Sequence, residues 1–371
     1  MKVLITGVHG FIGKNLVAHL NRVEGVEVLP FGRSDDMSLL ASHVAIADFV
    51  FHLAGVNRPT DTEEFRTGNA DLTRSLCHLI RSTGRLIPVV YTSSIQAALD
   101  NPYGVSKQQA ELCLQELNDQ VGNPVYIYRL PNVFGKWARP NYNSAVATFC
   151  HNIAKGRPLQ VNDANARISL VYIDDVIESF ISLMDGDQQG GSLAIEPQYT
   201  ISVGDLAHQI EAFRDSRSNM VAERVGTGLT RALYSTYLSY LEPDQFSYEV
   251  AQHVDPRGSF VEMLKTKDSG QFSFFTAHPG ITRGGHYHHS KNEKFLVISG
   301  QACFRFRHIV TGQFHELFTS GENPTVVETV PGWSHDITNV GDTEMVVMLW
   351  ANEIFDRAKP DTFNLPVGMQ P

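Results

Sequence analysis

The apolar positions of this chain follow two rhythms. Up to about residue 241, compact apolar runs alternate with helical stretches. Lys2–Thr6, Glu27–Phe31, Asp48–Leu53 and Leu86–Thr92 have the length and composition of buried strands. Apolar residues recur at helical spacing from Phe11 to about Asn21, across Thr67–Ser82, from Tyr103 to about Gln120 and over Leu229–Leu241. A further helix is expected from Ser202, a good N-cap, to about Arg214. Strands that alternate with helices predict a parallel sheet covered on both faces. Beyond Phe246 the period falls to two. Phe260–Leu264, Gln271–Thr276, Phe295–Ile298, Ala302–Ile309, Thr325–Thr329 and Glu344–Leu349 are short alternating runs, which predict a sandwich or barrel. Glu242-Pro243-Asp244 marks the change, so two domains are expected, residues 1–243 and 244–371.

The first strand breaks into Gly7, Gly10 and Gly13, and a helix opens at Phe11 and Ile12. A strand, a glycine turn and a helix N-terminus together present free backbone N–H groups to a pyrophosphate. The second strand ends at Gly32-Arg33-Ser34, where such folds read the adenosine ribose. An arginine there accommodates a 2′-phosphate, so Arg33 favours NADP over NAD. Leu53, Ala54 and Gly55 end the third strand with small residues that let a cofactor pass close. Asn69 lies near the start of the next helix. The fourth strand ends at Thr92-Ser93-Ser94, and Tyr103 and Lys107 follow on one face of a helix. A phenol with an ordinary pKa of about 10 needs a neighbouring ammonium to act as a proton donor near neutral pH. A serine hydroxyl can hold the same carbonyl oxygen.

Residues 1 to about 240 resemble the extended short-chain dehydrogenase/reductase family on these motifs. The resemblance implies a Rossmann-type doubly wound parallel α/β sheet. It makes Tyr103 the catalytic acid, Lys107 its partner and Ser93 the carbonyl-binding hydroxyl, with Ser94 the competing choice. Arg129-Leu130-Pro131-Asn132-Val133-Phe134-Gly135 resembles a stretch of the nucleotide-sugar members, which makes Arg129 and Asn132 candidate substrate contacts, and Asn69 is a further candidate. Arg167, ahead of Val171-Tyr172-Ile173-Asp174-Asp175-Val176, is a candidate for holding a diphosphate, since a guanidinium fork matches phosphate oxygens.

The second half holds another constellation: Gly280, His286-Tyr287-His288, Glu293 and Gly300, then Pro331-Gly332-Trp333-Ser334-His335. Two histidines two apart on a strand share a face, and Glu293 can join them from the next strand. Three imidazoles and one carboxylate (His286, His288, Glu293, His335) suit a divalent metal, most simply zinc. The spacing resembles the two motifs of cupin (jelly-roll) barrels, with a looser match in the second. Asp255–Glu262 and Arg283-Gly284-Gly285-His286-Tyr287 resemble the nucleotide-sugar 3,5-epimerases of rhamnose synthesis, which adds Arg257 and Arg283 as substrate candidates. In that branch the histidine is a general base and no metal is needed, so His286 carries two expectations, ligand and base.

In this order the halves resemble the bifunctional capsular-polysaccharide enzymes on the route to UDP-N-acetyl-L-fucosamine. That resemblance implies C3 epimerisation of a UDP-2-acetamido-2,6-dideoxy-4-keto-hexose by the barrel. NADPH-dependent C4 reduction to UDP-2-acetamido-2,6-dideoxy-L-talose would follow, and a homodimer is implied as well. One rival is a single-activity reductase with a structural, dimerising barrel. Another is a non-catalytic NADP-responsive scaffold, which would have no need of the serine, Tyr103 and Lys107 together. A net charge of −10 argues against nucleic acid. Four scattered cysteines and the lack of a membrane-length apolar run lead to the expectation of a cytoplasmic protein with reduced thiols and no membrane insertion.

Overall fold

The computed structural model describes residues 1–186, 190–255, 258–261, 264–266, 270–353 and 358–368. It divides into two compact units: residues 1–144 with 168–200, and residues 145–167 with 201–371.

The first unit is built on a parallel sheet of six strands: β1 (Lys2–Thr6), β2 (Glu27–Phe31), β3 (Phe49–His52), β4 (Val89–Ser94), β5 (Val125–Leu130) and β6 (Gly191–Leu193). Their order across the sheet is β2-β1-β3-β4-β5-β6. β3 and β4 are buried throughout, as a sheet covered on both faces requires. Helix α1 (Phe11–Leu20) follows the glycine turn, and α2 (Met37–Ile46), which has little apolar periodicity, follows β2. The helix predicted over 67–82 begins earlier, at Glu63, and passes through a π segment at Arg66–Asp71 before α3 (Leu72–Thr83). Helix α4 (Pro102–Val121) is capped by the Asn101 side chain, which accepts from Gly104 N–H, and stops at the left-handed Gly122. Leu76, Ile80, Leu114 and Leu117 close the core over Leu4, Val50 and Tyr91.

The second unit holds two antiparallel five-stranded sheets. One runs in the order Ser247–Glu249, Thr325–Glu328, Glu293–Ser299, Met345–Ala351, Gln271–Ala277. The other runs Phe314–Ser320, Gln301–His308, Trp333–Asn339, Thr282–Tyr287, Phe363–Asn364. This is the expected jelly roll, with Phe246, Phe306 and Trp333 packed edge to face in its interior.

The unit boundary departs from residue 243. Helices Ala145–Ala154, Val203–Asn219 and Gly228–Leu238 cluster with the barrel. The reason is a buried polar seam. Glu328 is buried, receives Lys294 Nζ at 2.5 Å and the Tyr234 hydroxyl at 3.2 Å, and lies 3.0 Å from Arg217 Nη1. Ser235 adds a hydrogen bond to the carbonyl of Ser290 at 2.8 Å. A buried carboxylate is tolerable only when so paired. Arg217 and Tyr234 therefore bind the helices to the barrel at Glu328. Among the described residues, no helix is long and apolar enough to cross a membrane.

Candidate functional site

The glycine turn leaves β1 at Gly7, whose backbone is left-handed (φ +72°) and whose Cβ, if it had one, would lie 2.7 Å from the Ala54 nitrogen. Glycine is the residue that permits this turn to lie against the end of β3. Ala54 itself donates its N–H to Thr6 Oγ1 (3.2 Å), and buried His52 bridges Thr6 and Thr73 at 2.7 and 2.8 Å. Burial pushes the His52 imidazole down to about 3, and Lys107 pushes the same way, so this histidine is a neutral strut.

Above the turn lies a cavity of about 550 Å³. Gly7, Gly10, Phe11, Ile12 and Gly13 line one side of it, and Leu53, Gly55, Tyr103 and Lys107 also face it. Of the expected cofactor contacts, Ala54 sits behind the lining and Arg33 lies outside it. Arg33 is an exposed guanidinium 3.0 Å from Glu64. Neighbouring Asp35 is occupied in accepting the Gly32 N–H at 2.7 Å.

Lys107 is buried and donates to the Thr92 carbonyl at 2.9 Å. Its position leaves no room at residue 55, where an added Cβ would come within 3.0 Å of Nζ. Burial brings Lys107 down to about 8, with Glu111 one turn along the helix acting upward. Tyr103 is half-buried beside Phe65 (ring centroids 5.6 Å apart). Its phenol is raised by burial, with Ser94 as the hydrogen-bonded partner that acts downward.

That partner favours Ser94, the competing choice, over Ser93. Successive residues of a strand point to opposite faces. Ser93 donates its hydroxyl to Glu111, whose carboxylate is also clamped by Arg129 through Nε (2.9 Å) and Nη2 (2.6 Å). Both serines line the cavity, but the Ser93 hydroxyl is given to Glu111, and Ser94 is the one paired with Tyr103. The same clamp commits Arg129, expected as a substrate contact, to Glu111. Asn69 is likewise committed: its amide accepts the Val56 N–H at 2.8 Å and donates to the Val56 carbonyl at 3.0 Å and to Ser106 at 2.9 Å. It braces the Gly55–Val56 loop from the π segment and does not line the cavity. Asn132 does line it, while Arg167 is an exposed residue at the start of strand Arg167–Tyr172. Glu111 escaped sequence reading, although its place one turn beyond Lys107 was a usable signal.

In the barrel, a bulge between Gly284 and His286, both glycines 284 and 285 being left-handed, turns His286 toward His335. The expected four meet: His286, His288, Glu293 and His335 each offer a ligand atom, all within 4.8 Å of one another. Glu293 Oε2 lies 3.1 Å from His288 Nε2 and 3.5 Å from His335 Nε2. His335 is buried, with Nε2 toward Glu293, and among the described residues neither ring nitrogen has a closer hydrogen-bond partner. Burial and the two neighbouring imidazoles push His286 down to about 3. Burial opposes ionisation of Glu293, but its contacts with His288 and His335 outweigh that and hold it well below the usual carboxylate range. His288 donates Nδ1–H to the Asp361 carbonyl at 2.6 Å. The Asp361 carboxylate gathers the N–H groups of His289 (3.0 Å), Ser290 (2.8 Å) and Lys291 (2.6 Å). Asp361 is thus a supporting residue that sequence spacing does not reveal. Arg283 is exposed, donating to the Thr276 carbonyl at 3.3 Å. Arg257 lies outside the described residues.

The profile of the NAD dependent epimerase/dehydratase family matches residues 3–195. The chain belongs to this family. A polysaccharide biosynthesis C-terminal domain matches residues 253–363, so an epimerase/dehydratase domain is followed here by a second recognised module. The UDP-2-acetamido-2,6-beta-L-arabino-hexul-4-ose reductase of Pseudomonas aeruginosa is 63% identical over 369 residues, covering 99% of both chains. The capsular polysaccharide assembling protein CapF from Staphylococcus aureus, a crystal structure, is 42% identical with a TM-score of 0.69, covering 99% of this chain and 100% of its own. The UDP-glucuronic acid 4-epimerase of Bacillus cereus, 20% identical with a TM-score of 0.52, covers 57% of this chain and 83% of its own, and shares the fold of the first part.

Proposed function

We propose that this family member is a bifunctional sugar-nucleotide enzyme. Its barrel epimerises C3 of a UDP-2-acetamido-2,6-dideoxy-4-keto-hexose, and its first unit then reduces C4 with NADPH. The product is UDP-2-acetamido-2,6-dideoxy-L-talose, a precursor for surface polysaccharide. The observation that carries the reductase half is the meeting of Tyr103, Ser94 and Lys107 at one cavity with the glycine turn. The end-to-end likeness to the Pseudomonas aeruginosa reductase supports the choice of substrate. Bound NADPH supplies the hydride. Tyr103 gives its proton to the C4 oxygen, Ser94 holds that oxygen in hydrogen-bond reach, and Lys107, anchored on Thr92, sets a positive charge beside them. Arg33 supports NADPH over NADH.

The barrel donors fit a zinc ion by their own chemistry. His288 gives its Nδ1–H to the Asp361 carbonyl, so the nitrogen it presents to the cluster is Nε2, 3.1 Å from Glu293. A shared divalent cation would join that nitrogen with Glu293, His286 and one ring nitrogen of buried His335, each of which offers one ligand atom. Zinc there would supply Lewis acidity toward a substrate oxygen.

The test is proton NMR of the protein with the keto sugar in D2O, with and without NADPH. Exchange at C3 without NADPH, retained in Tyr103→Phe and lost in His286→Ala, is the expected result. Metal content of His286→Ala then separates its roles: retained zinc makes it the base, lost zinc a ligand. NADPH oxidation without any C3 exchange would leave a reductase with a structural barrel.

A further inference from the structure

Two arginines of the first unit share one aromatic partner. Arg33, Arg66, Arg74, Arg85 and Arg129 each lie against a carboxylate. Arg58 and Arg139 pair with no carboxylate among the described residues, in a chain where 40 acidic residues outnumber 30 basic ones. They converge on one tyrosine instead: the Arg139 guanidinium lies 5.2 Å from the Tyr142 ring centroid and that of Arg58 lies 6.0 Å from it. Two like charges brought to one ring cost free energy unless an anion joins them.

Their presentation is stiff. Both precede a proline, Pro59 and Pro140, and the residue before proline is held extended. Pro140 and the left-handed Asn141 (φ +55°) then turn the chain so that Tyr142 returns beneath Arg139. Upstream, Trp137 is held in a left-handed backbone (φ +70°) next to Lys136, which is buried and donates to Asp174 at 2.6 Å. Arg139 and Tyr142 line the same cavity as Tyr103.

Sheet order gives the direction. The glycine turn follows β1, Tyr103 stands at the end of β4, and the Arg139 segment follows β5. At roughly 4.8 Å per strand, β5 lies on the order of 14 Å from β1, on the side opposite β2 and Arg33. A dinucleotide with its pyrophosphate on the glycine turn and its adenosine toward β2 leaves the Arg139 side to the substrate. We propose that Arg58 and Arg139, braced on Tyr142, hold the diphosphate of the sugar-nucleotide substrate. The proposal rests on the reductase reading above, and it names the ligand subsite of that cavity.

The shared chemistry is a phosphate ester, which the cofactor also carries, so the test needs two arms. UDP and NADPH binding are measured by calorimetry, and steady-state kinetics are run with the UDP-linked keto sugar. In the Arg58→Ala/Arg139→Ala variant, UDP affinity falls about 10- to 100-fold, as loss of charge-assisted hydrogen bonds predicts. The KM for the sugar rises in step, and NADPH affinity stays within about twofold. Arg139→Lys recovers part of the loss, because an ammonium supplies the charge but not the fork. Arg33→Ala shows the converse, weaker NADPH and unchanged UDP. Unchanged UDP affinity in the double variant overturns the proposal, and so does a loss that falls on NADPH. Wild-type protein that binds UDP through these arginines yet fails to reduce the keto sugar would overturn the reaction and leave the diphosphate site standing. Wild-type protein that binds no UDP overturns both.

Discussion

The cavity of the first unit and the histidine cluster of the barrel are both polar sites in apolar walls, yet they treat their polar groups in opposite ways. In the cavity the protein has already partnered the groups around the reaction centre: Lys107 with Thr92, Ser93 and Arg129 with Glu111, Asn69 with Val56 and Ser106. Tyr103 and Ser94 face the cavity as partners of each other. In the barrel the protein's own hydrogen bonds lie at the back of the cluster, on His288 and the 289–291 backbone, while the inner donors face one another. A site for molecules that come and go must be stable alone, so it is satisfied from beneath. A site for a resident ion can leave its donors to the ion, at a cost when the ion is lost. Cavity variants should therefore lose rate, and cluster variants should lose metal and stability.

The sharpest break between the two sites comes from Tyr103→Phe and its serine neighbours. Removing a general acid costs about 10²- to 10⁴-fold in rate, so NADPH oxidation by Tyr103→Phe should nearly vanish with little change in melting temperature. Ser94→Ala should lose about 10- to 100-fold in kcat through one missing hydrogen bond to the reacting oxygen. Ser93→Ala should keep its rate within a few-fold and instead cost about 1 kcal/mol of stability, because Glu111 loses a partner in a buried place. Rates at saturating NADPH beside thermal melts decide the matter. Equal rate losses at both serines would return Ser93 to the reaction.

The barrel side is sharpened at Asp361, which reaches the cluster through the His288 ring, the 289–291 backbone and the Ser290 hydroxyl. Asp361→Ala should weaken zinc binding about 10- to 100-fold, the usual cost of removing a group that orients a ligand, and leave NADPH affinity unchanged. Competition with a chromogenic chelator measures the first and calorimetry the second. Zinc affinity equal to the wild type would mean that the 288–291 loop keeps its shape without the carboxylate.

The same contrast explains what the sequence made legible. The glycine turn, the order of strands and helices, and the Tyr103/Lys107 pair are local patterns, and local geometry carries them into the structure. The four clustered barrel residues were legible as residue types because strand spacing and a short connection bring them together. Choosing between Ser93 and Ser94 needs the face of β4 that meets the helix, and Arg129 reads as a substrate contact only until Glu111 is seen beside it. Asp361 lies 73 residues from His288 along the chain, so no spacing rule could join them. The compact units part elsewhere than at residue 243 for a related reason. Arg217, Tyr234 and Ser235 look like an ordinary polar helix face, and their partners Glu328 and Ser290 lie in the barrel.

The smallest expected effect is the most discriminating for the cavity. Lys107 sits near 8 because burial outweighs the upward pull of Glu111. Below about 8 it carries its third proton, and above that it does not. The charged form is the one that favours a proton-donating phenol near neutrality, so kcat/KM for reduction should fall as pH rises through about 8. Glu111→Gln keeps an acceptor for Ser93 and Arg129 but removes the negative charge that supports the ammonium. The alkaline fall should therefore move to lower pH, with the plateau below it altered only a few-fold. Tyr103 cannot mimic this, since its phenol is raised above its ordinary value and would place the fall at the far alkaline end. A pH profile of kcat/KM for the wild type and Glu111→Gln checks it. A fall that stays in place in the variant would assign it to a group outside the Lys107–Glu111 pair, and would leave Glu111 as a brace for Ser93 and Arg129 with no electrostatic part in the reaction.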